Sequence, residues 1–218
     1  MDRQLEEYIL NLLSAESSVL NELYRHTNLK SLHAGMISGH EQGRLLSMFS
    51  HMIKPRQILE IGTFTGYSAI CLAAGLSADG HLHTIEINDE LTDTALAFFE
   101  KAGLSGKITL HVGDALEIIP QLDVIFDLVF IDAAKKQYLD YYHAVFNKVR
   151  AGGYILVDNI LWYGKVADPQ IQDETTVELR KFNDFVRNDN RVEKALIKDR
   201  DGLMILHKTQ GNNHFGGY

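Results

Sequence analysis

Residues 58–68 read ILEIGTFTGYS, and this stretch decides the fold. An apolar run leads to an acid, Glu60, and two glycines follow at Gly62 and Gly66. Residues 68–74, SAICLAA, then continue as a helix-forming run. Glycine permits a positive φ and lets the main chain approach a ligand closely. The stretch therefore predicts a strand, a tight turn and a helix, which together form the first βα unit of a nucleotide-binding α/β sheet.

The spacing of the two glycines bears on the ligand. The pattern is E-x-G-x-x-x-G, whereas the G-x-G-x-x-G fingerprint surrounds a pyrophosphate with main-chain amides. Glu60, just before the turn, would repel a phosphate. It suits a cationic ligand, such as the amino group and sulfonium of S-adenosylmethionine. The alternative interpretation is a turn with a purely structural role, because two glycines in a turn are a weak signal alone.

Two more carboxylates follow predicted strands. Residues 82–86 form the second strand, and its last residue, Glu86, holds the position that binds ribose hydroxyls in doubly wound nucleotide folds. The alternative for Glu86 is a solvated carboxylate at a strand end. Asp114 follows the third strand, at about 107–112, and is placed to accept a hydrogen bond from an adenine amino group. Asp114 is equally suited to capping the next helix, and the two roles are compatible.

Composition limits the classes of function. The 218 residues are 45% hydrophobic, which predicts one domain over 1–218, the alternative being two small domains. The net charge is −8 and no run of Lys or Arg stands out, so a small acceptor is favoured over nucleic acid. A single cysteine, Cys71, precludes a disulfide within one chain and fits a reducing cytoplasm. Neither a signal peptide nor a membrane-spanning stretch is recognisable, so a cytoplasmic location is expected.

The order of the elements predicts the fold class. Five strands alternate with helices and a hairpin follows, which is an α/β, Rossmann-like, seven-stranded and mostly parallel sheet with one antiparallel strand and helices on both faces. Extra helices at 3–14 and 18–27 form an N-terminal extension, 1–37, that covers the sheet or packs on a partner subunit. Gly152 and Gly153 are expected to turn the chain into a fifth strand at 154–157. The tail, 209–218, shows no periodicity.

Oxygen ligands gather at the ends of two predicted neighbouring strands. Asp132 ends the fourth strand, and Asp158 and Asn159 end the fifth. Ligands in such sheets bind beyond the carboxyl ends of the strands, which lie about 4.8 Å apart. Oxygen ligands without Cys or His select a hard cation such as Mg²⁺, Ca²⁺ or Mn²⁺. The alternative is that these residues cap helices and turns.

Two nearby residues are candidates for work on the acceptor. Lys135 lies three residues after Asp132, so it is expected to face the same crevice, where a neighbouring divalent cation disfavours its ammonium form and favours a general base. The alternative is an exposed lysine at a helix start. Trp162, in the loop after the fifth strand, is either an aromatic platform in an acceptor pocket or a loop-packing residue.

Several motifs together resemble the cation-dependent O-methyltransferases of the caffeoyl-CoA and catechol O-methyltransferase type, over about Met36 to Lys208. The resemblance rests on residues 60–68 (EIGTFTGYS), 84–86 (TIE), 113–115 (GDA), 127–132 (DLVFID), 158–166 (DNILWYGKV) and 201–202 (DG). It implies a class I S-adenosylmethionine-dependent enzyme, whose donor is held by Met36, Glu60, Gly62, Ser68, Glu86, Asp114, Ala115 and Asp132. It further implies a divalent metal, Mg²⁺ first, at Asp132, Asp158 and Asn159, with Lys135 as the base.

The resemblance also implies a homodimer and an acceptor with vicinal hydroxyls. Plant relatives carry a second acid where this chain has Ala134. The catechol enzymes differ there too, so the resemblance still implies the lysine and metal roles, while it leaves the plant-type donor contacts and acceptor choice open. Within the family, the alternative acceptor is a hydroxyl on a tRNA wobble uridine, which the acidic composition disfavours. Outside it, the alternatives are an NAD-type dehydrogenase, disfavoured by Glu60 and the missing third glycine, and a catalytically silent nucleotide-binding or dimerisation module.

Overall fold

The computed structural model of this chain describes residues 3–198 and 200–210. Its helices, α1 to α8, span Arg3–Leu12, Ser18–Lys30, Gly39–Ile53, Tyr67–Ala73, Thr92–Lys101, Ala115–Gln121, Tyr138–Phe146 and Glu174–Asn188. Its strands, β1 to β7, span Gln57–Ile61, His81–Glu86, Ile108–Val112, Phe126–Ile131, Val149–Val157, Val192–Ile197 and Leu203–Lys208. Short 3₁₀ helices lie at Ala34–Met36, Asp89–Leu91, Lys135–Gln137 and Lys165–Ala167. The predicted alternation of strands and helices, followed by a hairpin, is confirmed.

The strands form one seven-stranded sheet in the order β3-β2-β1-β4-β5-β7-β6. The pairs β2–β3, β1–β4 and β4–β5 are parallel. Strand β7 is antiparallel to both of its neighbours, β5 and β6. The predicted sheet, mostly parallel with one antiparallel strand, is therefore confirmed. Asp199 of the predicted hairpin turn and residues 211–218 of the predicted tail lie outside the described residues.

Strand β4 shows why its sequence folds as a central strand. Every residue of β4 except Asp127 is buried, as expected for a parallel strand that is covered on both faces. The carboxylate of Asp127 accepts hydrogen bonds from the Gln57 amide of β1 at 2.9 Å and from Arg150 Nε of β5 at 2.5 Å. The one polar side chain of β4 thus ties it to both neighbours at its amino end.

The start of β5 differs from the prediction. Gly152 and Gly153 do not turn the chain into the strand; they lie within β5, which begins at Val149. The partner of Phe126 is Val149 and the partner of Leu128 is Tyr154, so β5 has three more residues than β4 over this interval and forms a bulge. Gly152 has φ +74°, a conformation that favours glycine. The two glycines therefore bend a strand that continues through them.

The chain divides into two compact units. The first, called the N-terminal unit, comprises Met1–Arg56 and Thr63–Gly113; the second, the C-terminal unit, comprises Gln57–Gly62 and Asp114–Tyr218. Helix α2 is fixed within the N-terminal unit by buried Leu23 and by Thr27, whose hydroxyl donates to that of Thr65 at 3.0 Å. No helix among the described residues has both the length and the apolar character needed to cross a membrane.

A row of histidines lies on β2 and β3 in the N-terminal unit. His83 and His111 are half-buried, and Nδ1 of His83 is 3.0 Å from Nε2 of His111. Burial, followed by the charge of the neighbouring His81, lowers the pKa of His83 from 6.5 to about 4 and also lowers the pKa of His111. Both rings consequently bind a proton more weakly in the folded protein than in the unfolded chain.

We predict that acid destabilises the protein through this pair. As the pH falls from 6.5 towards about 4, the unfolded chain takes up protons that the folded pair resists, so the free energy of unfolding decreases. For half-exposed rings the loss is about 1–2 kcal/mol. Urea denaturation at about pH 7.5 and about pH 5 measures it. His83→Gln flattens this pH dependence and exposed His33→Gln does not; an equal slope in His83→Gln contradicts the prediction.

Candidate active site

The end of β1 is packed directly against the end of β4 in the C-terminal unit. Gly62 has φ +101°, and a Cβ atom built on it would lie 2.1 Å from the main-chain oxygen of Asp132. The Asp132 amide donates to the Ile61 carbonyl at 2.9 Å. The predicted positive φ is confirmed here and at Gly66, whose φ is +94°. At Gly62, the close approach is made by the main chain that carries a predicted metal ligand.

The turn after β1 is organised by Glu86 in the N-terminal unit. One carboxylate oxygen of Glu86 accepts from the Phe64 amide at 2.7 Å and the other from the Asn88 amide at 3.0 Å. Thr63 adds a hydroxyl contact of 2.5 Å with Thr84 of β2. Since Glu86 is only 8% exposed, the interpretation as a solvated strand-end carboxylate is wrong. Glu86 is the last residue of β2, and its carboxylate stabilises the turn after β1 through the Phe64 amide.

The other residues predicted to hold the donor are distributed over both units. Ser68 is buried in the first turn of α4, and Met36 is exposed at the end of a 3₁₀ helix; both belong to the N-terminal unit. Glu60, fully buried on β1, belongs to the C-terminal unit. In that unit, Asp114 caps α6, accepting from the Leu116 amide at 2.8 Å, and the predicted capping role is confirmed. Ala115 is buried as the first residue of α6.

The predicted metal ligands follow paired positions of β4 and β5. Ile131 pairs with Val157, and Asp158, the residue that follows β5, donates its amide to the Ile131 carbonyl at 3.0 Å. Asp132 and Asp158 therefore leave the sheet at the same level. Asp158 is 4% exposed, and Asn159 after it has φ +58°. The strand ends expected to lie side by side do so in the C-terminal unit.

Lys135 connects these strand ends through Tyr138. The Lys135 ammonium donates to Asp132 Oδ1 at 2.6 Å and to the Tyr138 hydroxyl at 2.7 Å. The Tyr138 hydroxyl in turn donates to the Asp158 carbonyl at 2.9 Å. The Lys135 side chain is 13% exposed, so the interpretation as an exposed helix-start lysine is wrong. A continuous hydrogen-bonded chain runs from Asp132 to Asp158.

Tyr138 is a site residue that sequence reasoning missed. Tyr138 is one of several aromatic residues of α7, and it is buried like its neighbours on that helix. The available signal was its spacing, three residues after Lys135, which places it on the same side of the chain. Burial, followed by the negative charges of Asp132 and Asp158, raises the pKa of Tyr138 well above its usual value. Its hydroxyl therefore keeps its proton and serves Lys135 as a fixed acceptor.

The loop after β5, residues 159–168, is stabilised by side chains that belong to other parts of the chain. Trp162, Tyr163 and Gly164 all have positive φ. The Asp201 carboxylate accepts from the Tyr163 amide at 2.5 Å, and Asn183 Nδ2 donates to the Ile160 carbonyl at 2.9 Å. Burial raises the pKa of Asp201. Side chains distant in sequence thus stabilise a conformation that L-residues adopt at a cost.

Arg180 of α8 fixes the second half of this loop. Its guanidinium donates to the carbonyl oxygens of Val166 at 3.0 Å, Lys165 at 3.1 Å and Asp168. Trp162 in the first half has a buried Nε1 without a hydrogen-bond acceptor in the described structure. Lys165 Nζ lies 6.0 Å from the centroid of the Trp162 ring. The contacts do not distinguish an aromatic platform from loop packing, and the pocket role of Trp162 stays a prediction.

The candidate metal site at the ends of β4 and β5 has two carboxylates, those of Asp132 and Asp158. In the part of the chain that the structure describes, no group of three or more His, Cys, Asp and Glu side chains is arranged to hold a metal ion. A cation at the ends of β4 and β5 would rely on Asp132 and Asp158 with the amide oxygen of Asn159. This set offers oxygen atoms only, and its role as a metal site stays a prediction.

Comparison with known proteins places this chain in a family. The model of a family described as O-methyltransferase matches residues 11–209. Caffeoyl-CoA O-methyltransferase of Stellaria longipes is 32% identical over 219 residues, covering 94% of this chain and 90% of that protein. The O-methyltransferase TomG from Streptomyces achromogenes, involved in tomaymycin synthesis and solved with SAM, is 32% identical with a TM-score of 0.89, over 96% of this chain and 99% of TomG.

A second solved structure agrees: the O-methyltransferase from Bacillus cereus, in complex with SAH, is 30% identical with a TM-score of 0.87, over 94% of this chain and 97% of that one. The chain belongs to the O-methyltransferase family. Within that family it is a SAM-dependent O-methyltransferase of the caffeoyl-CoA O-methyltransferase type. The resemblance in the sequence is confirmed, and the dehydrogenase and the silent module are excluded.

We predict that Gly62→Ala lowers the free energy of unfolding by more than the unfavourable φ angle alone would. The added methyl meets the Asp132 carbonyl at 2.1 Å, so β1 and β4 must separate, at a cost above about 3 kcal/mol. Gly103→Ala is the matched control, since Gly103 has φ +70° with nothing within 4 Å, and costs about 1 kcal/mol. Urea denaturation measures both; equal losses contradict the role of the contact.

Proposed function

We propose that this O-methyltransferase depends on a divalent cation and methylates one of two neighbouring hydroxyls on a small, catechol-like or caffeoyl-like acceptor. The observation that carries the proposal is a chain of hydrogen bonds that starts at the Lys135 amine. It joins this amine to the Asp132 carboxylate and, through the Tyr138 hydroxyl, to the main-chain carbonyl of Asp158. An amine held beside oxygen ligands is the pairing that removal of a hydroxyl proton requires.

The residues present fit a hard cation. Asp132, Asp158 and Asn159 would hold it through two carboxylates and an amide oxygen, leaving positions for the acceptor. The aspartates carry two negative charges against the one positive charge of Lys135, and Asp158 is 4% exposed, so a cation is electrostatically favoured there. When bound, Mg²⁺, or in its place Ca²⁺ or Mn²⁺, supplies Lewis-acid stabilisation of negative charge on the acceptor oxygen.

The remaining chemistry belongs to the chain. With a cation bound beside it, the Lys135 ammonium would first lose a proton to solvent, and the resulting neutral amine takes the proton of the acceptor hydroxyl onto Nζ. The acceptor oxygen forms the new C–O bond as the C–S bond of the sulfonium breaks, and sulfur keeps the electron pair. Tyr138 fixes Nζ through its hydroxyl at 2.7 Å, so the base is positioned before the acceptor binds. The protein then needs only to return the Lys135 proton to solvent.

Other assignments extend this proposal. Residues 1–218 act as a single methyltransferase domain, located in the cytoplasm. The donor is held by the residues that the sequence motifs indicate, namely Met36, Glu60, Gly62, Ser68, Glu86, Asp114, Ala115 and Asp132. A homodimer is supported by the exposed apolar side chains of α1, among them Leu5, Tyr8 and Leu12. Trp162 contributes to the acceptor pocket.

We predict that chelation abolishes methyl transfer and that added Mg²⁺ restores it. Labelled SAM is incubated with matched acceptors, a vicinal diol and the corresponding monohydroxy phenol, with and without EDTA. The diol is methylated and the phenol is not, because two neighbouring oxygens are needed to bind one cation. Bulk tRNA serves as a third acceptor. Full turnover in EDTA contradicts the metal assignment. Methylation of tRNA without methylation of the diol indicates that the acceptor is the tRNA wobble uridine instead.

We predict that Lys135→Met lowers kcat by about 100-fold or more while the affinity for SAM changes less than twofold, because only the proton acceptor is lost. Steady-state kinetics and isothermal titration measure the two quantities. The neighbouring Lys136→Met is the matched control: Lys136 is half exposed and pairs with Glu174. Unchanged kcat in Lys135→Met removes this lysine from the reaction.

A further inference from the structure

The histidines of β2 and β3 form a second group of potential metal ligands, which offer imidazole nitrogens instead of carboxylate and amide oxygens. Alternate residues of a strand face the same side of a sheet, so His81 and His83 share one face of β2, as Thr109 and His111 share one face of β3. His83 pairs with Thr109 in the parallel register, which brings His111 one step beyond it. Strand β3 is the edge of the sheet, and both rings remain half-exposed.

The distance between the two ring nitrogens suits shared coordination. His83 Nδ1 and His111 Nε2 are 3.0 Å apart, with the rings stacked at an interplanar angle of 22°. Two imidazole nitrogens that bind one ion at 2.0–2.1 Å are about 2.9–3.4 Å apart for angles between square and tetrahedral. The observed separation is within that interval. One ion could be shared once each ring rotates by about 35–45°, so that its lone pair leaves the line joining the two nitrogens.

The charge state of the rings is the one that a metal requires. Neutral imidazole is the ligand form, and the lowered pKa values of both histidines keep them neutral at physiological pH. In the hydrogen-bonded pair, one of the two facing nitrogens carries a proton. Binding of an ion moves that proton to the other nitrogen of the same ring, so each imidazole stays neutral and no proton is lost.

We propose that His83 Nδ1 and His111 Nε2 bind one borderline divalent transition-metal ion, of the class Zn²⁺, Ni²⁺ or Cu²⁺, at the β2–β3 edge. Imidazole nitrogen favours these ions over Mg²⁺ and Ca²⁺. Water fills the remaining positions, since the described residues offer no group of three or more His, Cys, Asp and Glu arranged around a metal. His81 lies beside the pair, and its Nε2 is hydrogen-bonded to Thr109 Oγ1 at 2.8 Å, so this nitrogen is not one of the two proposed ligands.

Isothermal titration of the full, tag-free chain with ZnCl₂ and NiCl₂ tests the site. Excess Mg²⁺ is present throughout to occupy the oxygen ligands. We expect one ion per chain, with binding weakened at least about tenfold in His83→Gln and in His111→Gln. Exposed His33→Gln binds as the unchanged protein does. Binding equally strong in His83→Gln, or no binding by the unchanged protein, overturns the proposal.

Spectroscopy of the unchanged protein gives a second test that does not depend on any variant folding. Bound Cu²⁺ is expected to show hyperfine coupling to two imidazole nitrogens in its electron paramagnetic resonance spectrum. A spectrum from oxygen ligands alone overturns the proposal. Because methyl transfer is assayed separately with Mg²⁺, failure of this site leaves the proposed reaction untouched, and failure of the reaction leaves this site untouched.

Discussion

The contact between the main chains of Gly62 and Asp132 is the constraint on which the candidate site depends. A carbonyl oxygen occupies the space that any side chain at 62 would fill, and the Asp132 amide is bonded to the Ile61 carbonyl. These two contacts fix where β4 ends relative to β1. The parallel register then fixes Asp158 beside Asp132 on the next strand. The hydrogen-bonded chain through Lys135 and Tyr138 then connects these two strand ends.

Local sequence was sufficient to predict the features that depend on local physics. The apolar run of β4 needs burial on both faces, and the positive φ at Gly62 and Gly66 needs residues without a Cβ atom. Asp132 and Asp158 could be placed together because parallel strands end at one edge of a sheet. The class of enzyme followed from several short motifs taken together, each of which is weak alone.

Features that depend on contacts distant in sequence were not predictable. The bulge at Gly152 is defined only by the partner strand, since a pair of glycines is compatible with a turn or a bend. In sequence, Tyr138 has the pattern of an ordinary buried aromatic of an amphipathic helix, and only its contact with Lys135 distinguishes it. Asp201, Asn183 and Arg180 reach the loop after β5 from 12 to 38 positions away, and no local pattern records such distances.

Arg180 grips its loop entirely through main-chain carbonyl oxygens, those of Lys165, Val166 and Asp168. Every amino acid presents the same carbonyl group, so the identity of the side chains at these positions is irrelevant to the anchoring. Over evolutionary time, a lineage can replace the residues of this segment while its backbone keeps its path. In the second half of the loop, Arg180 thereby makes the path of the backbone independent of the side chains that the loop displays.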